Sequence, residues 1–214
     1  MTKPRWMLLV AVASVCAVAA GCRTLSGLFG DDLPEDVPGL IEALASPNYF
    51  PRAAGQDLIY PDGFDHGAQK RVRRAEQRLR DRGPAAFPDL VAKLEDARYA
   101  YSEYYDQWRN PLVGEVCFYI IEDQVDFDGY DYKTRLGADG KQHEKPSCLW
   151  SICTQGKMQE WWKARAGKTL TELQTEAVEW TVAEEKKIGF KDRAQEEQVL
   201  GPLLKRLGEL KPAR

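Results

Sequence analysis

Histidine is almost missing from this sequence: it occurs twice, and cysteine only five times, in 214 residues. Metal sites built from imidazole and thiolate therefore have few ingredients. The short motifs of common catalytic machinery are missing too. There is no G-x-S-x-G elbow, no H-E-x-x-H, no phosphate-cradling glycine loop and no cysteine–histidine signature. Nor is there an excess of positive charge. The 30 Lys and Arg face 33 Asp and Glu, for a net charge of −3, which removes any general attraction to nucleic acid or anionic lipid. The uncharged apolar run over residues 6–20 falls short of the ~20 residues that a membrane-spanning helix needs. What is present is ordinary for a folded domain. A chain that is 43% hydrophobic and 29% charged can bury a sizeable core and is not a disordered polymer.

The first 22 residues form an ordered series. Lys3 and Arg5 supply a short positive region, the apolar run follows, and it ends Ala19-Ala20-Gly21-Cys22. This series resembles the bacterial lipobox. The resemblance implies export, cleavage after residue 21, a diacylglyceryl group on the Cys22 thiol, and acylation of the new amine by a palmitate-type chain. One buried chain anchors only marginally, at ~0.8 kcal/mol per CH₂, so stable anchoring takes two or more. Cleavage removes Lys3 and Arg5 and no acids, which takes the net charge from −3 to −5. Residues 22–32 then read as a lipidated, flexible tether. The residue after the cysteine is Arg23 rather than aspartate. By resemblance to lipoprotein sorting rules, that implies the periplasmic side of the outer membrane. An ordinary cleaved signal peptide that contains a cysteine is the alternative reading.

From Leu33 onward the hydrophobic period is helical. Val37, Leu40, Ile41 and Leu44 form one stripe, a weaker helix is expected over 48–59, and Val72, Ala75 and Leu79 mark a strong one over 69–82. Gly83-Pro84 stops it and opens a helix with Phe87, Leu90, Val91 and Leu94 on one face. After Pro111, Val113, Val116, Cys117, Ile120 and Ile121 line another. The segments RVRRAEQRL at 71–79 and GPAAFPDLV at 83–91 resemble HEAT-type helical repeats. The resemblance covers about 34–125 and implies stacked helix pairs. The helical period lapses over 127–147, where residues 130–143 fit a small β-hairpin or a solvent loop. Helices resume near Gln155. Thr169 with Glu172 reads as a capping box, opening a helix with Leu170, Leu173, Ala177 and Trp180 inward. A last helix from Asp192 places Val199, Leu200, Leu203, Leu204 and Leu207 on one side, with Pro202 as a kink or break. The expected fold is all-α, with HEAT-like pairs over 33–125 and, over 126–214, a loop or hairpin and irregular helices packed on the same domain.

Four clusters carry potential chemistry. The acidic run Glu122 to Asp131 suggests calcium, but Gly129 is misplaced for an EF-hand, and a solvated acidic loop explains the same residues. His143, Cys148 and Cys153 could contribute to zinc, although the usual close cysteine pair is missing. In an exported chain Cys148 and Cys153 favour a short-loop disulfide, which requires a turn between them; free thiols are the alternative. Arg71, Arg74, Arg78 and Arg82 fall on one helical face that could meet phosphates or simply solvent. Tyr99, Tyr101, Tyr104, Tyr105 and Trp108 crowd one window, as an aromatic binding surface or as packing between two helices.

These readings lead to an envelope lipoprotein with no expected metal or cofactor. Its helical scaffold binds a protein or a cell-wall glycan, and no nucleic acid. A glycan hydrolase with two carboxylates, for which Glu115 and Glu122 are candidates, is the rival class, and a purely structural spacer is the third.

Overall fold

Helices form where apolar residues recur every third or fourth position, and most of them start at a side-chain cap. The computed structural model describes residues 33–104, 107–127, 129 and 132–211. The residues read as a signal peptide (1–21) and as a lipidated tether (22–32, with Cys22) lie outside the described residues. Helix α1 (Val37–Glu42) is capped by Asp36, whose carboxylate accepts from the Gly39 amide at 2.8 Å. Helix α2 (His66–Asp81) is capped by Asp65 and buries Ala68, Val72, Ala75 and Leu79. Gly83, at φ 58°, turns the chain into a 3₁₀ segment (Gly83–Ala86) and then α3 (Phe87–Val91), whose Phe87 and Leu90 are fully buried.

Helix α4 (Val113–Val125) is the centre of the domain, with Val113, Val116, Cys117, Ile120 and Ile121 fully buried. Helices α2 and α3 pack against it. Its first turn lies so close to the preceding backbone that a Cβ on Gly114 would sit 2.2 Å from the Leu94 carbonyl oxygen. The Gly114 amide instead donates to Asp96 O at 3.0 Å. Glu115 accepts from the Leu112 amide at 2.8 Å, and leucine has no oxygen to return the bond, so only half a capping box forms.

Helix α5 (Gln155–Lys163) packs on α3, helix α6 (Leu170–Ile188) on α4, and helix α7 (Arg193–Leu210) on α6. The Thr169–Glu172 box opens α6 as its sequence predicts, and Asp192 caps α7. Pro202 sits inside α7 without ending it. Leu203 is fully buried, whereas Leu204, expected on the inner side, is half exposed.

Among the described residues, three small antiparallel hairpins complete the mostly helical domain: β1 (Arg52–Ala54) with β2 (Asp57–Ile59), β3 (Glu103–Tyr104) with β4 (Trp108–Arg109), and β5 (Thr134–Leu136) with β6 (Gln142–Glu144). The first replaces the helix expected over 48–59. Pro51 has no amide to donate and drives Phe50 out of the helical region. Gly55, at φ 65°, makes the tight turn. The second hairpin lies where aromatic packing between helices was one reading. The paired helices implied by the HEAT likeness are thus interrupted twice, between α1 and α2 and between α3 and α4. The third matches the hairpin reading of 130–143. It is held by Arg135, whose guanidinium reaches Glu185 on α6 with Nε–Oε2 at 3.0 Å and Nη2–Oε2 at 2.5 Å. Both side chains are buried, and the Tyr132 hydroxyl also donates to Glu185.

Candidate functional site

The aromatic window divides. Tyr99 and Tyr101 are buried, 8% and 3% exposed, while Tyr104 is 52% exposed on β3. Tyr105 lies outside the described residues. Arg73 of α2 lies 3.3 Å above the Tyr101 ring, a cation–π contact that closes the core side. Burial pushes the Tyr99 and Tyr101 hydroxyls above the usual phenol range. The Tyr99 hydroxyl lies 2.7 Å from Ser102 Oγ, which donates to Asn110 Oδ1 at 2.6 Å. Asn110 Nδ2 in turn donates to Pro51 O at 3.0 Å. Trp108 stacks edge-on against Tyr104, centroids 5.4 Å apart, and its indole N–H donates to Gln56 O at 2.7 Å. The two N-terminal hairpins are thereby fastened together, by Trp108 at the tip and Asn110 at the base.

Outside that fastening lie large apolar side chains with no cover. Tyr49 is 85% exposed, Phe50 63%, Ile59 46% and Tyr60 43%. Phe50 reaches the Tyr99 ring at 6.3 Å, and Tyr60 packs on Phe64 and His66 at 4.7 and 4.8 Å. Ile59 pairs with Arg52 across the first hairpin. Together with Tyr104, exposed on the second hairpin that is fastened to the first, they define an aromatic end of the domain, and Arg52, Asp57, Asp62 and Arg109 on or beside the same hairpins are exposed as well. Sequence reasoning found Tyr104 and Trp108 but missed the residues from 49 to 60. The signal was the cluster Pro47, Pro51, Gly55 and Pro61, which breaks helices and leaves the intervening aromatics without a helical face.

No protein-family model, curated protein or solved structure matches this chain.

The other clusters are mostly absorbed by the fold. Arg73 pairs with Glu76 and Glu103, both at 3.2 Å, and Arg80 pairs with Glu76 at 2.8 Å and Asp123 at 2.7 Å. Arg82 donates to Glu35 O. Of the face Arg71, Arg74, Arg78 and Arg82, Arg82 is thus tied to the segment before α1, while Arg71 and Arg74 are exposed. In the acidic run, Glu122 accepts from the Trp150 indole, Asp123 holds Arg80, and Asp126 accepts from Ser147 and Cys148. Asp128, Tyr130 and Asp131 lie outside the described residues. Among the described residues no three His, Cys, Asp or Glu side chains are grouped to hold a metal ion.

His143 contacts Asp139 at 3.0 Å on the third hairpin. Cys148 and Cys153 are free thiols rather than a bonded pair. The 3₁₀ turn Trp150–Ile152 separates them, with Cys148 turned inward to Asp126 and Cys153 exposed. Burial raises the Cys148 thiol pKa and pushes that of Cys117 up to about 12, so neither is a ready nucleophile. Of the two carboxylates considered for hydrolysis, Glu115 is occupied as the α4 cap and Glu122 holds Trp150. Among the described residues no helix is long and apolar enough to cross a membrane.

Proposed function

We propose that this chain is a lipoprotein of the bacterial envelope, cleaved before Cys22 and anchored by lipid on Cys22 at the periplasmic side of the outer membrane. Its non-enzymatic helical domain holds another envelope protein. The observation that carries the second part is the uncovered aromatic end formed by Tyr49, Phe50, Ile59, Tyr60 and Tyr104. Tyrosine and phenylalanine supply large contact area at little entropy cost, and a mixed-charge rim around an apolar centre is the usual composition of a protein interface. With two arginines and two aspartates, these flanking charges sum to zero and give no general attraction to an anionic lipid surface. The packing of α1 on α2 and of α3 on α4 supports a HEAT-like kinship for 33–125, which we keep as part of this proposal.

Site-specific photo-crosslinkers at positions 50 and 104 in intact cells, with position 204 as control, test the reading. One partner band from 50 and 104 only, lost at least tenfold with Tyr49→Ser and Phe50→Ser combined, is the expected result. Equal labelling from all three positions would exclude the face, and no band from any would favour the spacer. Intact mass of the native chain and of Cys22→Ala tests the anchor separately: a lipid-sized increment belongs on the native chain alone.

A further inference from the structure

A cleft of about 530 Å³ opens between the C-terminal end of α4, the segment before α5, and α6. Glu122, Asp126, Phe127, Lys145, Ser147 and Trp150 line it. The decisive wall is Trp150, which is 51% exposed. An indole left half in water at the mouth of a cleft is unusual for the largest apolar side chain. This one is also fixed. Its N–H donates to Glu122 Oε1 at 2.6 Å, and its ring meets Phe118 edge-on with centroids 4.8 Å apart. The ring is therefore held in place while about half of it stays open to solvent, so little ordering entropy is lost when something stacks on it.

The carboxylates around it are not a charge cluster awaiting a cation. Each already has a protein donor: the indole for Glu122, Arg80 for Asp123, and Ser147 and Cys148 for Asp126. A carboxylate accepts about four hydrogen bonds, more than the two donors on Asp126. A rigid aromatic face flanked by acceptors suits a pyranose sugar. The C–H face of a sugar ring carries partial positive charge and is attracted by the negative face of the indole, while its hydroxyls donate to carboxylates. The volume lies within the ~300–1,000 Å³ of small-ligand sites. With Asp123 paired to Arg80, Glu122 and Asp126 against Lys145 still leave an excess of negative charge that disfavours an acidic sugar.

We propose that this cleft binds a neutral pyranose glycan, with Trp150 as its stacking platform. The inference is independent of the aromatic end and of the lipid anchor. It is tested by calorimetric titration of the full chain, in a detergent without sugar groups. The probes are chitotetraose and cellotetraose, with tetragalacturonate as the acidic counterpart. Saturable binding of at least one neutral probe is expected, weakened tenfold or more by Trp150→Ala and threefold or less by Trp150→Phe, with tetragalacturonate at least tenfold weaker. Absence of saturable binding by both neutral probes would overturn the proposal. So would equal affinity of native and Trp150→Ala protein, or tighter binding of the acidic probe. If Trp150→Ala does not fold, the indole N–H resonance of Trp150 in the native protein decides. A shift that saturates with the neutral probe supports the site, and an unmoved resonance removes it.

Discussion

Glu185 is fully buried, and Arg135 and Tyr132 both bond to it and offset the cost of burying its charge. Removing one partner strands the other. Glu185→Ala is expected to cost about 3–5 kcal/mol of unfolding free energy, read from urea denaturation, because a buried guanidinium is left uncompensated. Gly114→Ala is a second sensitive position, for a steric reason. The obstructing atom is a backbone carbonyl, which cannot swing aside as a side chain can, so a loss of about 1–3 kcal/mol is expected in the same measurement. The cysteines give a third residue-scale prediction. In the folded chain a maleimide should label Cys153 quickly, and Cys117 and Cys148 only on unfolding. Failure to label Cys153 before reduction, and success after it, would mean that it is bonded to Cys148.

Elements in this domain are fastened by polar contacts at their ends. Helix α1 is tied to the 93–98 segment through Glu42, which receives Arg98 at 2.7 Å and Lys93 at 2.9 Å. Those hydrogen bonds, Arg98 first, hold the Glu42 carboxyl at about 2 instead of the ordinary 4.5. Its folded pKa is depressed, so its contribution is complete above 4.5 and disappears as pH falls from 4.5 toward 2. Asp96, lowered mainly by its bonds to Arg98, acts in the same direction. Because the pair is half exposed, the effect is within ~1 kcal/mol. Glu42→Gln should melt lower than native near neutral pH, and the two melting curves should converge by the acid end of that window. The hairpins depend on a similar device. Asn110→Ala removes the link from Ser102 to Pro51 and is expected to cost ~1 kcal/mol, with faster amide exchange in β1 to β4 than in α4.

At the scale of the molecule, stability and contact surface are spatially separate. The large buried side chains sit on α1 to α4 and on the inner faces of α5 to α7, whereas five of the most exposed apolar ones crowd the hairpin end. Tyr49→Ser with Phe50→Ser should therefore leave the melting temperature within a degree or two of native while abolishing partner contact. A large fall in melting temperature would place these rings in the core and remove the face as an interface.

Much of this was legible in the chain. Helices α2, α4, α6 and α7 follow from stripes at three- and four-residue spacing, and the Thr169–Glu172 box and the Asp192 cap are local chemistry between residues three apart, so no distant partner had to be known. Pro51 and Gly55 are equally local breakers, but the expectation of a helix over 48–59 rested on a weak apolar pattern and did not take them into account. Tertiary structure alone decided the rest. Whether Tyr101 or Tyr104 meets solvent depends on Arg73 arriving from α2, some thirty residues away. Whether Glu122 is a solvated acid or the clamp on an indole depends on Trp150, which a hairpin and a loop bring back beside α4. Periodicity and capping act within a turn or two of chain and can be read there. Exposure and site geometry come from contacts between residues far apart in sequence, which pattern does not encode.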